Sequence, residues 1–318
     1  METCASAPFD HAKADLILRS ADGVEFRVFK LFLSLASPFF ESMFDLPQTL
    51  DGDSDQEMKD GLAVITVSED SKTLDSFLRF CYPSTLAEDP SLESLADVVP
   101  VIAAAKKYSL GLIEKKVCQA LVNPKVLETE SLGSFAIARN ARLKHETLIT
   151  ATHTLRQPLI PARFVEIELI TASDLLALLT YHKNCSIAVQ ASIKDLKWMT
   201  DHYSNQNACT WMNGLFYDAR GYQRNCGCAR STDTKFSPWG VTPVGWWATY
   251  MQETFELLVD RPSGDTVRTE AEKAIQKVRS SSCATCPNQV KVNMTEFGDL
   301  LARKVEEAVA AVELQMDF

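Results

Sequence analysis

Four cysteines in two close pairs are the residues best equipped for chemistry. Cys283-Ala-Thr-Cys286 has a spacing that lets two thiolates meet one tetrahedral ion. Cys226-Gly-Cys228 has a single spacer, which glycine makes tolerable because it permits a tight bend. Together they offer four thiolates for a closed structural site, and zinc is the ion that best suits a thiolate-rich tetrahedral setting. Such an ion would tie the stretch around Cys226 to the C-terminal region, so the 54 residues between the pairs must fold back. Alternative donors are His182 and Cys185, at i, i+3 on a predicted helix, and Cys209, close in sequence to the loop. The plainer alternative makes Cys185 a buried thiol and His182 an ordinary core or surface histidine. Cys4, Cys81 and Cys118 read as free or core thiols. A redox role for the CxxC needs a preceding strand and a helix N-terminus to lower the thiol pKa; neither is evident, because Thr269 to Arg279 before it reads as a helix.

No other constellation points to catalysis. The chain has no Gly-x-Ser-x-Gly elbow, Walker loop, dinucleotide glycine fingerprint or His-Glu-x-x-His, so no enzymatic role is expected. Its 318 residues are 46% apolar and 23% charged, with mean hydropathy −0.08, which is enough apolar material for two or three domains with real cores. No window holds eighteen uninterrupted apolar residues, and the start lacks a basic leader and an apolar stretch of signal-peptide length, so neither membrane spanning nor secretion is expected. Nine cysteines then point to a reducing compartment, cytosol or nucleus. A net charge of −10 and a pI near 5.1 oppose general attraction to nucleic acid. The acid excess sits mostly in residues 1–70, which hold 14 acids against 5 Lys/Arg. Near the cysteines, residues 206–240 carry four Lys/Arg against two acids, too small an excess to argue for a strand-binding surface. Trp211, Trp239, Trp246 and Trp247 are expected instead to form the core of a small metal-tied subdomain.

The elements that must position these residues follow from periodicity. Asp15 to Arg19 and the alternating Val24, Phe26, Val28 flank Asp22-Gly23, a hairpin signal. A helix follows from Lys30, then Ser37-Pro38 caps a second. Residues 47–61 lose all periodicity and read as a solvated acidic loop before a strand at Ala63 to Val67. Three amphipathic helices carry Leu74/Phe77/Leu78/Cys81, Leu95/Val98/Val99/Ile102 and Leu112/Ile113/Val117/Leu121, with Asp89-Pro90 as a start for the middle one. Asn123-Pro124 marks a boundary. Helices continue from 125 to about 200, the 201–245 segment shows no regular pattern, and a last helix spans 295–316.

From Phe29, the sequence FKLFLSLASPFFESMF resembles the signature of the BTB/POZ family, with Lys30, Leu33, Ser37, Phe40, Met43 and Phe44 at the family's intervals. FLRFCYP around Phe77 to Pro83 and AAAKKYSLGLIEKKVCQAL from Ala103 to Leu121 are similar to its later helices. Two positions depart from the pattern: Phe29 replaces the usual histidine and Lys106 an aspartate. The rest resembles a fungal, basidiomycete-type BTB group, through His182/Cys185, Cys226/Cys228, Trp246/Trp247, Pro262-Ser263-Gly264 and Cys283/Cys286. The resulting expectation is an α+β fold. A BTB/POZ domain of small sheet and helices occupies 8–124, a helical extension 125–200, and a Cys/Trp-rich loop with a C-terminal helical subdomain 201–318.

The resemblance implies a non-enzymatic protein-interaction module, commonly a homodimer that pairs its first strand and first helix with a partner subunit. Leu16, Leu31, Phe32 and Leu35 are the interface residues it points to; the competing possibility is that they face the domain's own core. Some BTB proteins are adaptors of cullin-RING ubiquitin ligases through a hydrophobic-x-Glu element. Here only Met58-Lys59-Asp60 offers a counterpart, one methylene shorter, and no substrate-binding domain such as a propeller follows. Transcriptional co-regulation is a third role the family implies.

Overall fold

The computed structural model describes residues 3–45, 57–158, 160, 163–203, 206–217, 220, 223–232 and 235–318. The chain divides into two compact units, Met1–Thr150 and Ala151–Phe318.

In the N-terminal unit, β1 (Thr3–Cys4), β2 (Leu16–Arg19), β3 (Val24–Val28), β4 (Met58–Lys59) and β5 (Leu62–Thr66) form one sheet in the order β1-β3-β2-β5-β4. The expected hairpin is present: β2 and β3 pair antiparallel with Leu16 opposite Val28, and Gly23 turns between them at φ +86°, a conformation side chains resist. β5 runs parallel to β2, leaving β2 central, and its Leu16, Ile17 and Leu18 are all buried. Helices α1 (Lys30–Ala36) and α2 (Pro38–Asp45) meet at Ser37, whose Oγ accepts the N–H groups of Phe39 and Phe40 and donates to the Tyr108 carbonyl at 2.5 Å. Most of the stretch read as an acidic loop, 47–61, lies outside the described residues.

The amphipathic helices are α3 (Ser71–Cys81), α4 (Leu95–Lys107) and α5 (Gly111–Cys118). α4 does not start at Asp89-Pro90. Its N-cap is Ser94, whose Oγ donates to Asp97, and the first amide, Leu95 N–H, is satisfied by the Glu130 carboxylate at 2.8 Å. That carboxylate comes from α6 (Pro124–Asn140), 35 residues away, so a tertiary contact overrode the local proline signal. Sheet and helices close over one core that includes Phe9, Leu18, Phe26, Leu33, Phe40 and Phe77. Val126, Ile137 and Ala138 of α6 belong to it too, so the compact unit extends past the boundary expected at 124.

The C-terminal unit is mainly helical. After α7 (Lys144–Thr154), which straddles the division, it holds α8 (Ala172–Ile193), α9 (Lys197–His202), α10 (Gly245–Asp260), α11 (Gly264–Arg279) and α12 (Cys286–Ala310). A capping box of Thr171 and Asp174 starts α8, and α12 packs on α8 and α11. Fully buried Phe297 of α12 is the hub: its ring lies 5.8 Å from Trp198, 6.0 Å from Trp211, 5.8 Å from Trp247 and 6.2 Å from Tyr250. Segment 201–245 is not without regular structure, as β6 (Leu215–Tyr217) and β7 (Gln223–Asn225) form an antiparallel hairpin. No helix among the described residues is long and apolar enough to cross a membrane.

Candidate metal centre

The β6–β7 hairpin delivers the first two cysteines. Cys226 follows β7 directly, and its N–H donates to the Gly214 carbonyl at 2.8 Å, which closes the base of the hairpin. Gly214 has φ +61°, and a methyl group there would lie 2.5 Å from Cys226 Sγ and 2.8 Å from Val244 Cγ1. Only glycine lets the backbone come this close. Beyond Cys228 the chain is pinned by Gly245 N–H to the Ala229 carbonyl and Val244 N–H to the Met212 carbonyl.

The other pair sits at the start of α12. Cys286 is the first helical residue, Pro287 follows it without costing a hydrogen bond, and Thr285 is the N-cap. The helix N-terminus that is not evident from the sequence is therefore present at the CxxC. Cys286 N–H points to Cys283 Sγ at 3.5 Å. Burial raises the Cys283 thiol pKa, but the backbone N–H groups of Cys286 and Thr285 and the neighbouring thiols outweigh it and bring the group down to about 6. Burial pushes Cys228 up to about 11, and burial with the Cys228 contact raises Cys286 as well. Four crowded thiols cannot all ionise against one another, and a bound cation reverses that penalty.

The two pairs converge. The sulfurs of Cys226, Cys228, Cys283 and Cys286 all lie within 4.8 Å of one another, with Cys228 Sγ and Cys286 Sγ 3.7 Å apart. Zinc–sulfur bonds of about 2.3 Å in a tetrahedron set the sulfurs about 3.8 Å apart, so this donor set fits a metal ion after small adjustments. Cys286 is buried and the other three are half-buried. His182, Cys185 and Cys209, the alternative donors, do not join the group. His182 is buried on α8, with Nε2 donating to the Gln157 carbonyl at 3.2 Å, because a carbonyl only accepts; Nδ1 has no partner among the described residues. Burial lowers its pKa, while burial raises Cys185 to about 11 and Cys209 to about 12. These two are core thiols, as are Cys81 and Cys118, and Cys4 is exposed. Trp211 and Trp247 are buried, and Trp211 stacks on Trp246 at 6.1 Å.

The residues read as an interface separate into two groups. Leu31 and Leu35, one turn apart on α1, are 62% and 77% exposed, and Phe32 is half-buried against Tyr82. Leu16 is fully buried in the domain's own core, since a central strand presents both faces inward, and this removes it from any surface. Met58 is 61% exposed on edge strand β4, and Asp60 is held by Arg27. Lys59 between them reaches inward to Glu25 at 2.8 Å.

Residues 8–125 match the family model of the BTB/POZ domain. No curated protein matches the chain. The sheet, the helices closing over it and this match together make residues 8–125 a BTB/POZ domain, a protein-interaction fold and not a catalytic one, followed by a mainly helical region with a four-cysteine cluster.

Proposed function

We propose that the chain is a protein-interaction scaffold whose BTB/POZ domain associates with a second copy of itself. The observation that carries this is the pair Leu31 and Leu35, large apolar side chains left in water on a short helix of a domain whose family works by binding proteins. Self-association removes that patch from water, and a two-fold contact between identical helices is the simplest closed arrangement. Light scattering on the purified chain at micromolar concentration tests it: twice the chain mass supports the dimer, and a single-chain mass at every concentration contradicts it.

In the second unit the four cysteines hold one zinc ion with a structural role. The sulfur spacing and the all-thiolate donor set support this, because zinc takes four sulfur ligands and leaves no position for a substrate. Metal content of protein purified without chelator, then resupplied with zinc, is the test, with one zinc per chain expected and a chain that holds none and takes up none contradicting it. The free thiols accord with a reducing cytosol or nucleus.

A cullin-adaptor role is the second reading, favoured by the exposure of Met58. Against it, Asp60 already has a partner in Arg27, which a cullin would have to displace. Binding of the chain to a cullin N-terminal domain, lost in Met58→Ala, supports this role, and no binding removes it.

A further inference from the structure

Three of the four clustered cysteines are half-buried, so small solutes can reach the site, while the fourth, Cys286, is buried with its sulfur 3.7 Å from that of Cys228. A disulfide requires about 2.05 Å between sulfurs, so the Cys228–Cys286 contact lies less than about 2 Å from a bond. The remaining thiols offer no comparable arrangement: Cys81, Cys118, Cys185 and Cys209 are buried, Cys4 is exposed, and none belongs to the group.

Building on the assignment of the cluster as a zinc site, we propose that it is also a redox-sensitive tie. A hydroperoxide converts its thiolates into two disulfides that cross between the pairs, Cys228–Cys286 and Cys226–Cys283, and the metal leaves. In each bond-forming sequence one thiolate attacks a peroxide oxygen, the O–O bond breaks, and a sulfenic acid and hydroxide result; the second thiolate then displaces hydroxide from that sulfur. Two molecules of hydrogen peroxide accept four electrons from the four thiolates and, with four protons from solvent, become four waters, leaving two disulfides and free Zn²⁺.

The Cys228–Cys286 contact favours bonds between the pairs over bonds within them. A bond between Cys226 and Cys228 would close a small ring over one intervening residue, whereas Cys228 already faces Cys286. Once these two are joined, Cys226 and Cys283 remain, their sulfurs within 4.8 Å. Cross-pair bonds link the base of the hairpin to the start of α12, the same segments the metal links. Oxidation therefore exchanges an ionic tie for a covalent one without releasing the segment, and a dithiol reductant reverses it.

The full chain carrying Cys4→Ser, which removes the exposed thiol outside the cluster, provides the test. Protein purified without chelator is titrated with hydrogen peroxide while a chromogenic chelator reads free zinc, and unreduced peptides are mapped by mass spectrometry. One zinc released per chain for two peroxides consumed, a peptide pair joined through Cys228 and Cys286, and restored zinc binding after dithiothreitol are expected. Zinc retained under peroxide, or bonds confined to Cys226–Cys228 and Cys283–Cys286, overturns the redox tie and leaves the zinc site standing. A chain that carries no zinc and takes up none when it is supplied overturns both.

Discussion

Each unit joins a short pair of strands to the rest of its own fold, and the two joints differ in kind. In the N-terminal unit charge does the work: Glu25, 3% exposed on β3, receives Arg19 at 2.9 Å and Lys59 at 2.8 Å, Arg19 also reaches Glu57, and Arg27 meets Asp60. This fixes β4 at the sheet edge. In the C-terminal unit four cysteine sulfurs gather where the hairpin segment meets the start of α12, and the proposed zinc ion would do the fastening. A charge network is sensitive to protons and salt, a thiolate cluster to chelators and oxidants. The lesson is that the kind of cross-link decides which change of environment the segment feels.

Breaking the sulfur tie has the largest expected effect. Cys286→Ser removes a buried ligand and should abolish stoichiometric zinc. Structural zinc contributes about 10–16 kcal/mol in small zinc-dependent peptides, and even a fraction of that should melt the hairpin segment. All five tryptophans lie between 198 and 247, so a red shift of tryptophan emission reads this unit alone. A variant with native emission and full zinc content would refute the tie.

Phe297→Ala sharpens the comparison by testing burial within the same unit. Deleting the ring that meets Trp198, Trp211, Trp247 and Tyr250 should cost about 3–5 kcal/mol in chemical denaturation. The zinc content of the folded fraction should be unchanged.

Next comes the charge network. Glu25→Gln weakens the contacts of Arg19, which keeps Glu57, and of Lys59, at a cost of about 1–3 kcal/mol, because both cations keep some access to water. Burial raises the Glu25 pKa, but the contacts with Lys59 and Arg19 outweigh it, and the carboxyl titrates below the ordinary glutamate value of 4.5. A lowered folded-state pKa means that the contribution is complete above 4.5 and is lost as pH falls through the lower native value. Acid titration of the N-terminal unit should therefore show a shallower stability loss below pH 4.5 in Glu25→Gln than in the parent. Equal slopes would contradict the assignment.

The smallest effect on folding belongs to Leu35→Asp. An exposed position should change stability by no more than about 0.5 kcal/mol, yet the apparent dimer dissociation constant should rise at least about tenfold when a charge is placed in the contact. Sedimentation separates the two quantities, and an unaltered dimer would exclude this face.

Much of the N-terminal unit was legible from its turn, cap and helical patterns: the β2–β3 hairpin, the Ser37 cap and helices α3 to α5 are present, although Val99 and Leu112, read as part of apolar faces, are exposed. The start of α4 was not, since it depends on a carboxylate 35 residues distant. That Cys226, Cys228, Cys283 and Cys286 come together was legible from the spacing of the two pairs. Their supports were hidden, because three-residue strands such as β6 and β7 contain no measurable alternation and the close approach at Gly214 involves residues distant in sequence. His182 and Cys185 share a helix face as their spacing implies, but that face turns into the helical core and away from any joint ligand set. For Leu16 periodicity could not tell a partner from the domain's own core, and the central place of β2 decides for the core.

Hydrogen exchange on the full chain, with and without a zinc chelator, tests the contrast most directly. The account predicts that chelation strips protection from the hairpin segment around 211–230 and the first turns of α12, while the BTB/POZ domain at 8–125 exchanges as before. Protection unchanged in both units, or lost equally in both, would contradict it.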